Sequence, residues 1–212
     1  MSEVRAVVFD VGGVLCPSPL IGFSAVDEAW GVPGGTVEAA FRGGAEFMEA
    51  ETGRIGIDAF FNGLCARVSA AHGVAADPAR LYEMFQEIFG EPVPEMIDLA
   101  VELRRAGYLT GLMSNIYRER RRWLYALVPG GVDVVVDSSE VGMRKPDPAI
   151  YEKLLEMLAV PAGAVAFVDD FAENVTAAEA LGLRGIFFED PVQVRAALIA
   201  AGVDIPPAAS RR

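Results

Sequence analysis

The stretch AVVFDVGGVL, residues 6–15, decides the fold, because an apolar run drops a single carboxylate at its end and then turns on a glycine pair. Val7, Val8 and Phe9 are β-branched or aromatic, and the run is short enough for a parallel strand buried on both faces. Asp10 then falls at the carboxyl edge of the sheet, where open α/β folds keep their ligands. Gly12 and Gly13 let the backbone turn sharply and approach a small group closely. The pattern marks Asp10 as a candidate nucleophile.

Downstream of residue 94 the hydrophobic period alternates between helix and strand, which implies right-handed crossovers and a Rossmann-like parallel sheet with helices on both faces. Pro94 opens a helix, Met96, Ile97, Ala100 and Leu103 recur at helical spacing, Arg104 and Arg105 suit its carboxyl end, and Gly107 closes it. Strands are expected at 108–113, 132–136, 165–168 and 185–188, with a helix from the first of these to about residue 128. Asp147 and Pro148 make an N-cap followed by proline at the first helical position, and Ile150, Tyr151, Leu154, Leu155 and Leu158 form its apolar stripe. Further helices read at 173–181 and 192–201. Between residues 16 and 91 there are helical periods and turn residues but no convincing strand. Helices are expected there at 57–71 and 78–89, broken at Gly43-Gly44 and Thr52-Gly53. The division that follows is an α/β core from 1–15 and 92–205, an all-helical cap from 16–91, and a disordered tail from 206–212.

Composition excludes several classes. The 212 residues carry 18 basic and 30 acidic side chains, a net charge of −12 that repels nucleic acid and anionic membranes. The basic run at Arg118, Arg120, Arg121 and Arg122 reads as a solvated helical face, with a place beside an anionic substrate as the alternative. Two cysteines cannot make a disulfide framework, and Cys16 has no histidine partner nearby in sequence, His72 being the chain's one histidine. No window reaches the roughly 18 apolar residues that a membrane span requires. A cytoplasmic protein of one sizeable core is expected, with no protein partner implied. The glycines after the first strand do not make the G-x-G-x-x-G of a dinucleotide fold.

Four segments end or follow predicted core strands and should meet at one edge: Asp10, Ser114-Asn115, Arg144-Lys145-Pro146 and Asp169-Asp170. Each alone has an ordinary explanation as an N-cap, a turn or a surface charge. Together they supply a nucleophilic carboxylate, a hydroxyl donor, a fixed cation and a carboxylate pair for a hard cation, the parts of metal-assisted phosphoryl transfer. The motifs VVFDVGGVL, LMSNIY, VGMRKPDPAIY and AFVDDFAENV, in this order from about residue 5 to 188, resemble the haloacid dehalogenase-like (HAD) superfamily of hydrolases. The chain looks like the branch with a small helical cap, which includes sugar-phosphate phosphatases and 2-haloacid dehalogenases. That resemblance implies an aspartyl-phosphate intermediate on Asp10. It further implies Mg²⁺ held by Asp10, the Gly12 carbonyl and Asp170, with Asp169 direct or through water. Ser114, Asn115 and Lys145 would bind the phosphoryl oxygens, and Asn174 would lie behind them.

Position 12 departs from the family. The common phosphatase pattern there is a second Asp acting as general acid, and its loss removes about 10²- to 10⁴-fold in rate. The expectation is a phosphatase for small phosphomonoesters with good leaving groups, such as anomeric sugar phosphates. The alternatives are a 2-haloacid dehalogenase, whose halide needs no proton, and a weakly active phosphate-binding protein. Phe41, Phe47, Phe60 and Phe61 read as cap core. Arg42, Glu46 and Arg54 are left as cap residues able to reach the site.

Overall fold

In the computed structural model, which describes residues 3–88 and 91–206, the chain opens on strand β1 (Ala6–Phe9). Helices α1 (Phe23–Trp30), α2 (Thr36–Arg42), α3 (Ala45–Glu51), α4 (Ile57–His72) and α5 (Pro78–Ile88) follow. Then α6 (Pro94–Arg105) leads to β2 (Leu109–Ser114), the short α7 (Arg121–Ala126) to β3 (Val134–Asp137), and α8 (Ser138–Val141) with α9 (Pro148–Leu158) to β4 (Val165–Asp169). The chain then runs through α10 (Ala172–Ala180) and β5 (Arg184–Phe187) to α11 (Pro191–Ala200). The described strands form one parallel sheet in the order β3-β2-β1-β4-β5. The order reverses between β1 and β4, and a doubly wound sheet opens its ligand crevice at that switch point.

Strand periodicity explains why β1 is apolar throughout. Val7 and Phe9 face a layer built by Met96, Leu99 and Leu103 of α6 and Val194 and Leu198 of α11. Ala6 and Val8 face the opposite layer, with Ile150, Tyr151, Leu154 and Leu158 of α9. The expected start of α9 is present: the Asp147 carboxylate accepts from the Ala149 N–H at 3.0 Å, and Pro148 holds the first helical position. Leu155, placed in the stripe from sequence, is only half-buried.

The helices between β1 and α6 enclose their own core of Phe23, Phe41, Phe60, Phe61, Leu64 and Phe85. The aromatic residues 41, 60 and 61 do pack as core there. The Val93 N–H donates to the Leu15 carbonyl at 2.8 Å, so the two connections of this insert lie side by side. Helices α1 to α3 fall within the expected all-helical stretch and respect the breaks at Gly43-Gly44 and Thr52-Gly53, though their bounds are not set by the sequence pattern. They are of seven or eight residues, and the turn between the first two is held by Asp27, whose carboxylate accepts from the Gly35 and Val37 N–H groups at 2.7 and 2.8 Å.

The helix expected after β2 is another difference. Residues 115–117 remain outside any helix, followed by a 3₁₀ turn at Arg118–Arg120 and then α7. The Ile116 N–H donates to Ser138 Oγ at 2.9 Å, which ties this segment to α8 instead of letting it wind. The basic run is accordingly not one solvated face. Arg121 pairs with Asp137 at 3.0 Å and Arg120 donates to the Phe85 carbonyl at 2.7 Å. Of the tail, Pro206 accepts from Arg195 Nη1 at 2.6 Å, while 207–212 lie outside the described residues, as does the end of the helix expected at 78–89.

Candidate active site

The register of the sheet brings distant residues together. Phe9 pairs with Leu112 of β2 and with Val168 of β4, so Asp10, one step further, lies beside Asp169 and Met113, and Ser114 ends β2 one residue beyond. Its N–H donates to the Val168 carbonyl at 2.8 Å and extends the ladder by one bond. Lys145 arrives from the loop before α9 and is 1% exposed. Its ammonium sits between two carboxylates, 2.7 Å from Asp10 Oδ1 and 2.7 Å from Asp169 Oδ2, with the Phe167 ring centroid 5.6 Å away.

Three carboxylates surround this one ammonium. Asp10, Asp169 and Asp170 each offer an oxygen within 4.8 Å of the others. Burial, with Asp169 and Asp170 adding to it against the pull of Lys145, pushes the Asp10 carboxyl up to about 8. Burial and then Asp169 push Asp170 up to about 6. Burial works to lower the Lys145 amine, but Asp10 and Asp169 outweigh it and hold the amine above its ordinary value. The cluster thus has more negative charge than Lys145 neutralises.

The two neighbouring acids are not equivalent. Asp169 is spent on the protein: Oδ1 accepts from the Phe171 N–H at 2.8 Å and the Asn174 amide at 2.9 Å, and Oδ2 takes Lys145. Asp170 Oδ1 is buried and has no hydrogen-bond partner among the described residues. The main chain makes room for that carboxylate at Gly13, where φ is +91° and a Cβ would collide with the Asp170 oxygens. A buried orphan oxygen beside Asp10, in an all-oxygen donor set, fits a hard divalent cation such as Mg²⁺.

Asp10, Gly12, Ser114, Asn115 and Lys145 line one cavity of about 120 Å³, together with residues of the helical insert. The Asn115 carboxamide does not face that space freely. Its Oδ1 accepts from the Lys145 N–H at 2.9 Å and its Nδ2 donates to the Lys145 carbonyl at 3.0 Å, so it fixes the lysine backbone. Cys16 is no nucleophile: its Sγ donates to the Val11 carbonyl at 3.3 Å, and burial pushes the thiol up to about 12.

Of the three cap residues left open from sequence, the described lining includes Arg42 and neither Glu46 nor Arg54. Glu46 pairs instead with Arg67 at 3.3 Å. Sequence reasoning missed Glu51, which lines the cavity from the end of α3 and pairs with Arg144 at 2.6 Å. Burial raises its carboxyl, against the pull of Arg144. No local pattern marks a pair separated by 93 residues.

A parallel sheet that places a carboxylate, a lysine and an acidic pair at its switch point is the frame of an α/β hydrolase. The family model for haloacid dehalogenase-like hydrolases matches residues 4–182, and the chain belongs to that family. Acyl-CoA dehydrogenase family member 10 of Mus musculus is 30% identical over 197 residues, covering 88% of this chain and 18% of that protein. Bifunctional epoxide hydrolase 2 of Sus scrofa is 28% identical over 208 residues, 88% of this chain and 37% of its own length. The chain therefore spans well under half the length of these two relatives. Phosphatase MT3486 of Mycobacterium tuberculosis is 27% identical over 210 residues, 91% of each chain. Among solved structures, a HAD-like family hydrolase from Porphyromonas gingivalis superposes with a TM-score of 0.71 at 22% identity, covering 93% of this chain and 98% of that one. A HAD family enzyme from Bacteroides thetaiotaomicron, in complex with magnesium and inorganic phosphate, superposes with a TM-score of 0.65 at 20% identity, covering 88% and 95%.

Proposed function

We propose that the chain is a Mg²⁺-dependent phosphatase of small phosphomonoesters, with 16–91 as a cap over a core of 1–15 and 92–205. The observation that carries this is the excess of buried carboxylate over ammonium, with Asp170 Oδ1 left unpartnered beside Asp10. The likeness to phosphatase MT3486 and the magnesium and phosphate complex of the Bacteroides enzyme support it. The same oxygen weighs against the dehalogenase alternative, because attack on carbon has no use for a second, unpaired acid.

Asp10, the Gly12 carbonyl and Asp170 would hold the cation, which when bound supplies charge neutralisation for the phosphoryl oxygens. Asp169 anchors Lys145 through Oδ2 and, as an oxygen donor of the same cluster, would reach the cation directly or through water. Asp10 Oδ attacks phosphorus, the ester P–O bond breaks, and the leaving oxygen takes its proton from water, since Gly12 carries no acid. Water then hydrolyses the aspartyl phosphate and restores Asp10. Ser114 donates to the phosphoryl oxygens, and Lys145, its backbone clamped by Asn115, opposes their charge from a fixed position. The helical insert excludes bulk water.

The decisive experiment measures inorganic phosphate from a panel of phosphomonoesters with Mg²⁺ and with chelator, and chloride from 2-chloropropionate. Phosphate release that vanishes in chelator is expected. Chloride release, or phosphate release indifferent to chelator, overturns the proposal.

Two further results follow from the same geometry. Cation binding requires Asp10 and Asp170 ionised, yet these hold protons up to about 8 and about 6. Mg²⁺ affinity should therefore climb as pH rises from 6 to 8, and binding at pH 7 should release protons, read by calorimetry in two buffers of different ionisation enthalpy. No proton release would show the cluster already ionised. Gly13→Ala pushes a methyl group into the Asp170 carboxylate. It should weaken Mg²⁺ binding by about 10- to 100-fold, the range for disturbing groups that orient a ligand.

A further inference from the structure

The cavity above Asp10 is walled by rings and alkyl groups: Leu20, Phe41, Phe47, Phe85, Ile116 and Phe171 all line it. The rings brace one another, with Phe41 centred 4.9 Å from Phe47 and 5.7 Å from Phe85. The charged side chains Glu51, Arg144 and Arg42 on this wall are already paired. Glu51 is bonded to Arg144, whose guanidinium lies 5.4 Å over the Phe47 ring. Arg42 pairs with Glu38 at 3.1 Å and lies 5.5 Å over Phe171. The Asn115 amide is spent on Lys145. Ser18 Oγ is buried on the same wall with no partner among the described residues. A hexose would bring several hydroxyls here, and each one left unpaired carries a desolvation cost.

The size and the missing acid narrow the choice further. The cavity's volume of about 120 Å³ has to take the phosphoryl group as well, and a whole benzene ring fills a cavity of roughly 150 Å³, so beside the phosphoryl group there is room for no more than one ring, reaching toward the cavity mouth. Glycine at position 12 supplies no acid to the leaving oxygen, Glu51 is bonded to Arg144, and Glu173 of α10, the other glutamate of the lining, is exposed to solvent. A phenol ionises near 10, as tyrosine does, and so departs without protonation far more readily than an alkoxide, whose parent is about as weak an acid as water at roughly 15.7. We infer that the leaving group is a single aromatic ring and that the substrate class is an aryl phosphomonoester. This rests on the phosphatase function proposed above, and it replaces the sugar phosphates that Gly12 alone admits.

The test compares kcat/KM for phenyl phosphate, hexyl phosphate, glucose 1-phosphate and acetyl phosphate in Mg²⁺. Acetyl phosphate has a good leaving group and no ring, so it reports whether phosphate chemistry occurs at all. Phenyl phosphate should exceed hexyl phosphate by at least about 10²-fold, the lower end of what a general acid supplies. It should also exceed glucose 1-phosphate by at least tenfold. Phe47→Ala should raise the KM of phenyl phosphate about tenfold relative to that of acetyl phosphate, in line with the loss of an aromatic contact. Gly12→Asp should help hexyl phosphate more than phenyl phosphate. Glucose 1-phosphate or hexyl phosphate matching phenyl phosphate, an unchanged KM ratio in Phe47→Ala, or an equal gain in Gly12→Asp each overturns the aryl assignment. Turnover of acetyl phosphate alongside any of these leaves the phosphatase standing. No phosphate from any of the four overturns both.

Discussion

Asp10→Asn should lower phosphate release by at least about 10⁴-fold, as loss of a nucleophile does, and in chelator at pH 8 it should leave the protein more stable than the parent. The two effects share one cause. Asp10 is buried against Asp169 and Asp170, so its carboxyl is pushed up to about 8 from the ordinary 3.8. Between those values the folded protein keeps a proton that the unfolded chain has lost. Stability therefore falls as pH rises from about 4 to about 8, and the full burden of the ionised form is present above that window. Asparagine keeps the shape and removes the titration. The melting temperature of Asp10→Asn in chelator should decline less steeply from pH 5 to pH 8, the remaining slope coming from Asp170. Saturating Mg²⁺ should raise the parent at pH 8 through preferential binding to the folded state, and raise the variant by less. Thermal melts at pH 5, 6.5 and 8, with and without the cation, check this. A variant less stable than the parent in chelator at pH 8 would mean that the contact with Lys145 outweighs the repulsion.

Much of this arrangement is legible in the sequence because it is local. A strand buried on both faces has to be apolar at every position, as Val7, Val8 and Phe9 are. A helix that starts at Asp147-Pro148 announces itself by its cap. Parallel strands that end in Asp10, Ser114 and Asp169 must deliver those residues to one edge. What is not legible depends on partners far along the chain. Asn115 reads as a substrate ligand, yet it is occupied by the backbone of Lys145, 30 residues away. Asp169 and Asp170 are neighbours of equal chemistry, and only the Phe171 and Asn174 donors separate the filled carboxylate from the orphan one. Helices α1 to α3 are too short for a clear period, and the turn after α1 is secured by Asp27 reaching forward ten residues to Val37. The cavity wall is drawn from the insert and from core segments that follow several different strands, so its aromatic character emerges only when they pack.

Lys145→Met should cost about 3–5 kcal/mol in chelator at pH 8, the range for removing one partner of a buried ion pair, and at least about 10³-fold in phosphate release. Methionine fills most of the volume, so a cavity does not explain such a loss. What it removes is the ammonium 2.7 Å from both Asp10 and Asp169, the latter 0% exposed. For a chain of this length, at about 2–4 °C per kcal/mol, the melting temperature should drop by about 6–20 °C. The lysine's own titration does not shape the result between pH 5 and 8. Its amine is held above the ordinary 10.5, so its stabilisation is complete below that value and is lost only at higher pH. The pH dependence comes from the carboxylates it faces. At pH 5 Asp10 retains its proton and the variant should recover part of the deficit; at pH 8 it should not. Adding Asp10→Asn to Lys145→Met should restore part of the stability at pH 8 and none of the activity, giving a coupling between the two positions of the size seen for residues in direct contact. Equal losses at pH 5 and pH 8, or strictly additive effects in the double variant, would show that Lys145 acts by packing rather than as the counter-charge of the acidic cluster.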